Sequence, residues 1–136
     1  MQASTASRPN VLCVMQGSQN QDQQKIVKLV NYHAHVYFSE HERRAAETIR
    51  VQVKKDFGDE IKIGSWHERP VGPHPRGSYQ LTVAPEQMAE FLPWMSMNRA
   101  KLTVFMHLNT GDNYTDHTLH VIWLGESEKL NLSIFE

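Results

Sequence analysis

Two stretches of the chain alternate strictly between apolar and polar positions. In Leu29–Phe38, Val30, Tyr32, Ala34, Val36 and Phe38 share one side, and Asn31, His33, His35 and Tyr37 the other. In Lys101–His107, Leu102, Val104 and Met106 face one way, and Thr103, Phe105 and His107 the other. A period of two is that of a strand packed on one face, so both runs predict strands. Between them the period lengthens. Ser39 and Glu42 have capping-box spacing, and Ala46, Ile49, Val53 and Phe57 then recur at three- and four-residue steps up to Gly58, which predicts an amphipathic helix. Ile61–Trp66 and Ser78–Val83 read as the strands of a long hairpin around a proline-rich loop. Pro85 suits a first helical turn, Met88, Phe91, Leu92 and Met95 supply a buried stripe, and Pro93 is expected to kink that helix. Thr110–Asn113 signals a turn, and Thr118–Leu124 and Leu130–Phe135 read as late strands. No internal repeat interrupts the series.

The order strand, helix, strand, strand, helix, strand is the split βαβ plan. The expected fold is therefore an α+β, ferredoxin-like sandwich with a C-terminal strand extension. Its folded domain covers residues 25–136, behind a flexible tail over 1–24 rich in Gln, Ser and Asn. Within that tail Val11–Met15 is a short apolar run suited to packing on the surface or, less favourably, to an added edge strand. The plan places the helices on one sheet face and sets the first strand between the third and fourth. The histidine side of the sheet is expected to stay open.

A chain of 136 residues supports one core. Its formal net charge of −1, with no long block of either sign, argues against a nucleic-acid partner. No apolar run approaches the roughly 20 residues that span a bilayer, and no signal segment opens the chain. The expectation is a soluble, cytoplasmic protein with no membrane partner. Cys13 is the single cysteine, which leaves no intrachain disulfide or thiolate cluster. Any metal must be held by nitrogen and oxygen.

Eight histidines remain to be explained. In the ferredoxin-like plan the first and fourth strands are antiparallel neighbours, which brings His107 beside His33, with His35 about 7 Å further along the strand. His74 lies in Val71-Gly72-Pro73-His74-Pro75, where prolines stiffen the backbone on either side. Four imidazoles thus converge on one sheet edge, with geometry that suits three of them sharing a metal ion. Asp112, Asp116 and Glu68 are candidates for a carboxylate ligand, although each taken singly reads better as a turn residue or a solvated charge. Arg69, Arg76 and Arg99 flank the expected pocket and are candidates to bind a substrate carboxylate, each equally readable as a solvated surface arginine. Trp66 is the best candidate to line an aromatic pocket, with Trp94 and Trp123 assigned to packing. His41 reads as a solvated surface residue and His120 as structural; His67 and His117 stand beside loops at the same end.

With these residues in place the chain resembles the DOPA 4,5-dioxygenase family of aromatic ring-cleaving enzymes. The likeness runs from about Tyr32 to Phe135. It rests on Tyr32-His33-Ala34-His35-Val36-Tyr37-Phe38, Pro70-Val71-Gly72-Pro73-His74-Pro75, Asn98-Arg99, His107 with Thr110-Gly111-Asp112, and Asp116-His117-Thr118 followed by Trp123-Leu124-Gly125. The resemblance implies a compact, often homodimeric protein that uses non-haem Fe(II) and dioxygen to open a catechol ring beside its two hydroxyls. Imidazole ligands also accept Zn(II). His33, His35 and His107 are then the preferred metal-facing set. His74 serves as a further ligand or as the acid/base group, and His117 stands in reserve for that second role. Tyr37 and Trp66 join Arg76 and Arg99 as expected substrate contacts. One departure is Leu108, where the family commonly has proline. Two other classes use the same residues: a small-molecule-binding protein without oxygen chemistry, and an isomerase or cyclase with His74 and His117 as acid and base.

Overall fold

Both alternating runs become central strands of one sheet. The computed structural model describes residues 26–136; the expected tail and the Val11–Met15 run fall outside them. The elements run β1 (Asn31–Phe38), α1 (Arg43–Phe57), β2 (Lys62–Ile63), β3 (Gly77–Val83), α2 (Met88–Asn98), β4 (Val104–Asn109), α3 (Asn113–Thr118) and β5 (Val121–Leu124). The sheet order is β2-β3-β1-β4-β5 with every described pairing antiparallel. The first six elements therefore form the expected α+β, ferredoxin-like sandwich, with β1 between β3 and β4.

Burial follows the alternation. Ala34, Val36, Phe38, Tyr79, Leu81, Val83, Val104 and Met106 on one sheet face meet Ala46, Ile49, Val53 and Phe57 of α1 and Phe91 and Met95 of α2. The capping box operates at the start of the first helix: the Ser39 amide donates to Glu42 Oε1 at 3.0 Å. A single 3₁₀ turn, Glu40–Glu42, precedes α1. Gly58 ends the helix at φ +61°, a left-handed value that glycine adopts without steric cost. Pro93 lies inside α2.

Four expectations are corrected. The segment Asn113–Thr118, expected to lie between a turn and a strand, is the short helix α3, capped by Asp112, whose side chain accepts from the Thr115 amide at 3.1 Å. The late strand consequently starts at Val121 rather than Thr118. Leu132–Phe135 is a 3₁₀ turn rather than a strand. These pieces and the proline-rich loop close over the histidine side of the sheet, which is roofed rather than open. The Asn131 amide donates to the Pro73 carbonyl at 2.8 Å, tying the C-terminal segment to the loop.

The β2–β3 hairpin contains a register change that decides one side chain's fate. Ile63 pairs with Leu81 and the Gly64 amide donates to Gln80, yet the next bridge joins His67 to Ser78. Two residues, Ser65 and Trp66, thus oppose the single Tyr79. A one-residue bulge inverts the facing of the strand beyond it, and Trp66 lands on the helix side, stacked on Phe38 at 4.2 Å and on Tyr79 at 5.5 Å.

Candidate metal centre

Strand pairing alone brings two histidines together. His33 of β1 is the direct partner of His107 of β4, and His35 is opposite Phe105. One donor nitrogen from each of His33, His35 and His107 lies within 4.8 Å of the other two. The tightest approach is His35 Nε2 to His107 Nε2 at 3.1 Å. Two nitrogens bound to one ion at ~2.1 Å and subtending about 95° stand this far apart, so the pair has the spacing of adjacent ligands.

The tautomers support this use. His107 Nδ1–H donates to the Leu108 carbonyl at 2.8 Å, which leaves the lone pair on Nε2, directed at His35. Two facing Nε2 lone pairs repel unless a proton or a cation lies between them. Burial holds every imidazole here below its ordinary pKa: His107 falls to about 3, His35 well below the usual range, and His33 moves less. Neighbouring imidazoles add to the effect. Near neutral pH the three are uncharged, the form that binds a metal ion.

Two further imidazoles flank the three. His74 stacks on His35 with centroids 4.0 Å apart, and His117 of α3 stacks on His107 at the same distance. His117 Nδ1–H donates to the Asn113 carbonyl at 2.6 Å, leaving Nε2 with its lone pair. Tyr37 O–H lies 2.7 Å from His74 Nδ1 and has no other hydrogen-bond partner among the described residues. The phenol proton therefore goes to Nδ1, and His74 carries its own proton on Nε2. Burial lowers His74 to about 4 and raises Tyr37 well above the ordinary phenol range. The loop presents His74 through a tight turn. The His74 amide donates to the Val71 carbonyl at 3.1 Å, with Gly72 at φ +59° and Pro73 at the two central positions. A positive φ followed by proline restricts the turn to type II′.

Beneath the imidazoles is an aromatic floor that neither the motifs nor the histidine pattern announces. Phe105, fully buried, stacks on Trp123 at 4.4 Å and lies 6.0 Å from His35. Phe135 covers His117 at 4.7 Å. Phe105 follows from strand parity, since it lies between Thr103 and His107. Phe135 has no local signal, because the strand-like pattern of Leu130–Phe135 conceals a turn. His33 and His117 are half-buried while His35, His74 and His107 are buried, so the group is reached from the His33 and His117 side.

Other expected contacts lie elsewhere. None of the three carboxylates belongs to the histidine group: Asp112 caps α3, and Glu68 binds Arg43 and the Trp66 indole. Asp116, 1 % exposed, accepts from the Thr110 amide and hydroxyl, each at 2.7 Å, and from His120 Nδ1 at 2.8 Å. Burial raises the Asp116 carboxyl, but these bonds outweigh it and the net shift is downward. Arg76 is paired with Glu42 and Glu128 at 2.7 and 2.9 Å, with its guanidinium over Tyr37. It is committed to the protein rather than held ready for a substrate. Arg99 bonds the Leu102 carbonyl before β4, at the opposite end of the strand from His107. Trp66 is on the far face of the sheet. Tyr37, fully buried, contacts His74 instead of open space.

The model of the Dopa 4,5-dioxygenase family matches residues 32–134, which span β1 through the C-terminal turn and so take in every histidine of this centre. The chain belongs to that family. Among its relatives, a DOPA 4,5-dioxygenase of Amanita muscaria is 31% identical over 113 residues, covering 78% of this chain and 50% of the relative. An uncharacterized 21.2 kDa protein of Botryotinia fuckeliana is 32% identical over 114 residues, covering 76% and 62%. The chain thus spans between half and two thirds of the length of these two curated relatives. A solved structure from Nostoc punctiforme, described as a "putative dioxygenase", superposes with a TM-score of 0.75 at 37% identity, covering 78% of this chain and 90% of that one. For this member of the DOPA 4,5-dioxygenase family, the ferredoxin-like sandwich is accordingly shared with a solved neighbour.

Proposed function

We propose that this protein is a non-haem metal-dependent dioxygenase that opens the ring of a catechol, with His33, His35 and His107 as metal ligands. The observation that carries the reading is the approach of two neutral, buried imidazoles through Nε2 at 3.1 Å, with a third donor nitrogen beside them. Family membership supplies the reaction class. Fe(II) is the ion this reaction favours; His33, His35 and His107 would hold it, and it would supply activation of dioxygen and the diol for insertion of both oxygen atoms with cleavage of a ring carbon–carbon bond.

The remaining residues manage protons and water. His117 Nε2, with its lone pair exposed on the accessible side, accepts a proton from a catechol hydroxyl. His117, charged by that transfer, returns the proton to the opened product, while His74, holding its own proton on Nε2 through the Tyr37 bond, donates a hydrogen bond to the substrate oxygen. Phe105, Trp123 and Phe135 exclude water from this proton exchange. Arg76, itself fixed between Glu42 and Glu128, covers the Tyr37 ring.

The test is anaerobic loading with Fe(II) followed by oxygen consumption with a panel of catechols. One dioxygen consumed per catechol, a yellow ring-opened product and loss of both on chelation are expected. Tight catechol binding without oxygen uptake by fully loaded protein would replace this reading with a binding protein or a histidine-based isomerase.

A further inference from the structure

The face of the sheet away from the histidines carries a cavity of about 880 Å³. It follows one stripe of α1, formed by Arg43, Glu47, Arg50, Val51 and Lys54, and is closed on the other side by Ile61, Ile63 and Trp66. Its volume is that of a small-molecule site. The charge on its walls is unequal. Lys54 is paired with Asp59, and Arg43 with Glu47 and Glu68, whereas Arg50 has no acidic partner among the described residues.

Arg50 is held in an unusual way. Its guanidinium stands 6.0 Å from the Trp66 ring and 5.6 Å from the Tyr79 ring, and donates through Nη2 to the Gly64 carbonyl at 2.7 Å. Its Nε, though covered, has no hydrogen-bond partner among the described residues. Stacking rather than a full set of acceptors therefore fixes this cation, and its charge is unmatched inside a partly apolar cavity. Trp66 is stacked on Phe38 and Tyr79 on its sheet side and is only half-buried. A planar ring laid against the half-buried Trp66 extends the stack, and an acidic group on that ring reaches Arg50.

We propose that this cavity is a second ligand site, selective for small planar aromatic anions bearing a carboxylate or sulfonate. The bulge that turns Trp66 to the helix side creates it. The site shares no residue with the histidine centre, so it stands or falls separately from the ring-cleavage reading.

The probe is 1-naphthoate, titrated into the full chain and followed by amide and indole NMR shifts. Expected are shifts at Arg50, Val51, Lys62, Ile63 and the Trp66 indole. Val51→Glu and Arg50→Gln should each weaken binding by about tenfold or more, as an added like charge or the loss of one charged contact does. Val51 lines the cavity and is 65 % exposed, so its variant keeps the test valid if Arg50→Gln fails to fold. His107→Ala should bind naphthoate as the parent does. Shifts centred on Phe105 and Trp123, unchanged affinity in Val51→Glu, equal binding of neutral 1-naphthylmethanol, or displacement by an acidic hexapeptide at lower concentration would each overturn the proposal.

Discussion

Replacing His107 by alanine separates ligation from packing, because its effect is read as a difference between metal-free and metal-loaded protein. A ligand that binds only the folded state stabilises it by about 2.7 kcal/mol when present at a hundred times its Kd. For a domain of this size each kcal/mol raises Tm by roughly 4 °C, so saturating metal should raise the parent Tm by about 10 °C. His107 Nε2 lies 3.1 Å from His35 Nε2 and is directed there by the bond to the Leu108 carbonyl. Removing it takes away one of three donors, and even an outer-shell loss costs 10- to 100-fold in metal affinity. At the same metal concentration the loaded variant should then gain only about 2 °C. His117→Ala is the control: it deletes the ring stacked on His107 without touching the three-nitrogen group. It should keep the full metal-induced shift while turnover falls by about 10²-fold or more. Scanning calorimetry of both variants, with and without Fe(II) under anaerobic conditions, is the assay. An undiminished shift in His107→Ala, or its loss in His117→Ala, would refute the ligand assignment.

Acid should unfold the metal-free protein early. His107 and His74 are lowered from 6.5 to about 3 and about 4, chiefly by burial, so the unfolded chain binds more protons than the folded one between those values. Stability is full above pH 6.5 and drains away by several kcal/mol as pH falls through that window; a flat urea midpoint from pH 7 to 4 would contradict it. Tyr37→Phe removes the bond to His74 Nδ1 and should cost about 1 kcal/mol in stability. It should lower turnover at unchanged metal content, measured by elemental analysis beside oxygen uptake. Asp116→Ala deletes an acceptor of three hydrogen bonds that tie Thr110 to His120. A loss of about 3 kcal/mol in chemical denaturation is expected, and less than 1 kcal/mol would mean the tether is dispensable.

Much of the centre is legible in the sequence because period and topology act together. Once Leu29–Phe38 and Lys101–His107 alternate, the antiparallel neighbours of the ferredoxin-like plan must juxtapose His33 and His107, as the register does. The misplacements have local physical causes. Asn113–Thr118 is six residues long and too short to display a helical stripe, so its one signal is the Asp112 cap. Leu130–Phe135 alternates like a strand, but its Asn131 amide is taken by the Pro73 carbonyl and Leu132–Phe135 tightens into a turn that Asn131 caps. Residue type and a place beside the proline-rich loop make Trp66 a candidate pocket wall, and a single extra residue before His67 turns it to the helix side. Residue type alone makes Arg76 and Arg99 substrate contacts, whereas the partners that occupy them, Glu42, Glu128 and the Leu102 carbonyl, come from distant segments or from a turn.

The same burial that makes the histidines good ligands makes their face costly to keep without an ion. His35 and His107 direct nitrogens at each other with at most one proton to share, and His74 and His117 pack a neutral ring against each. A protein selected for stability alone would fill this layer with hydrocarbon, as the opposite face does with Ala34, Val36, Leu81 and Met106. The aromatic floor of Phe105 and Trp123 worsens the desolvation instead of relieving it. A metal ion placed among the nitrogens would turn that arrangement from a liability into a site, and the expected metal-dependent gain in Tm is the direct measure of that exchange.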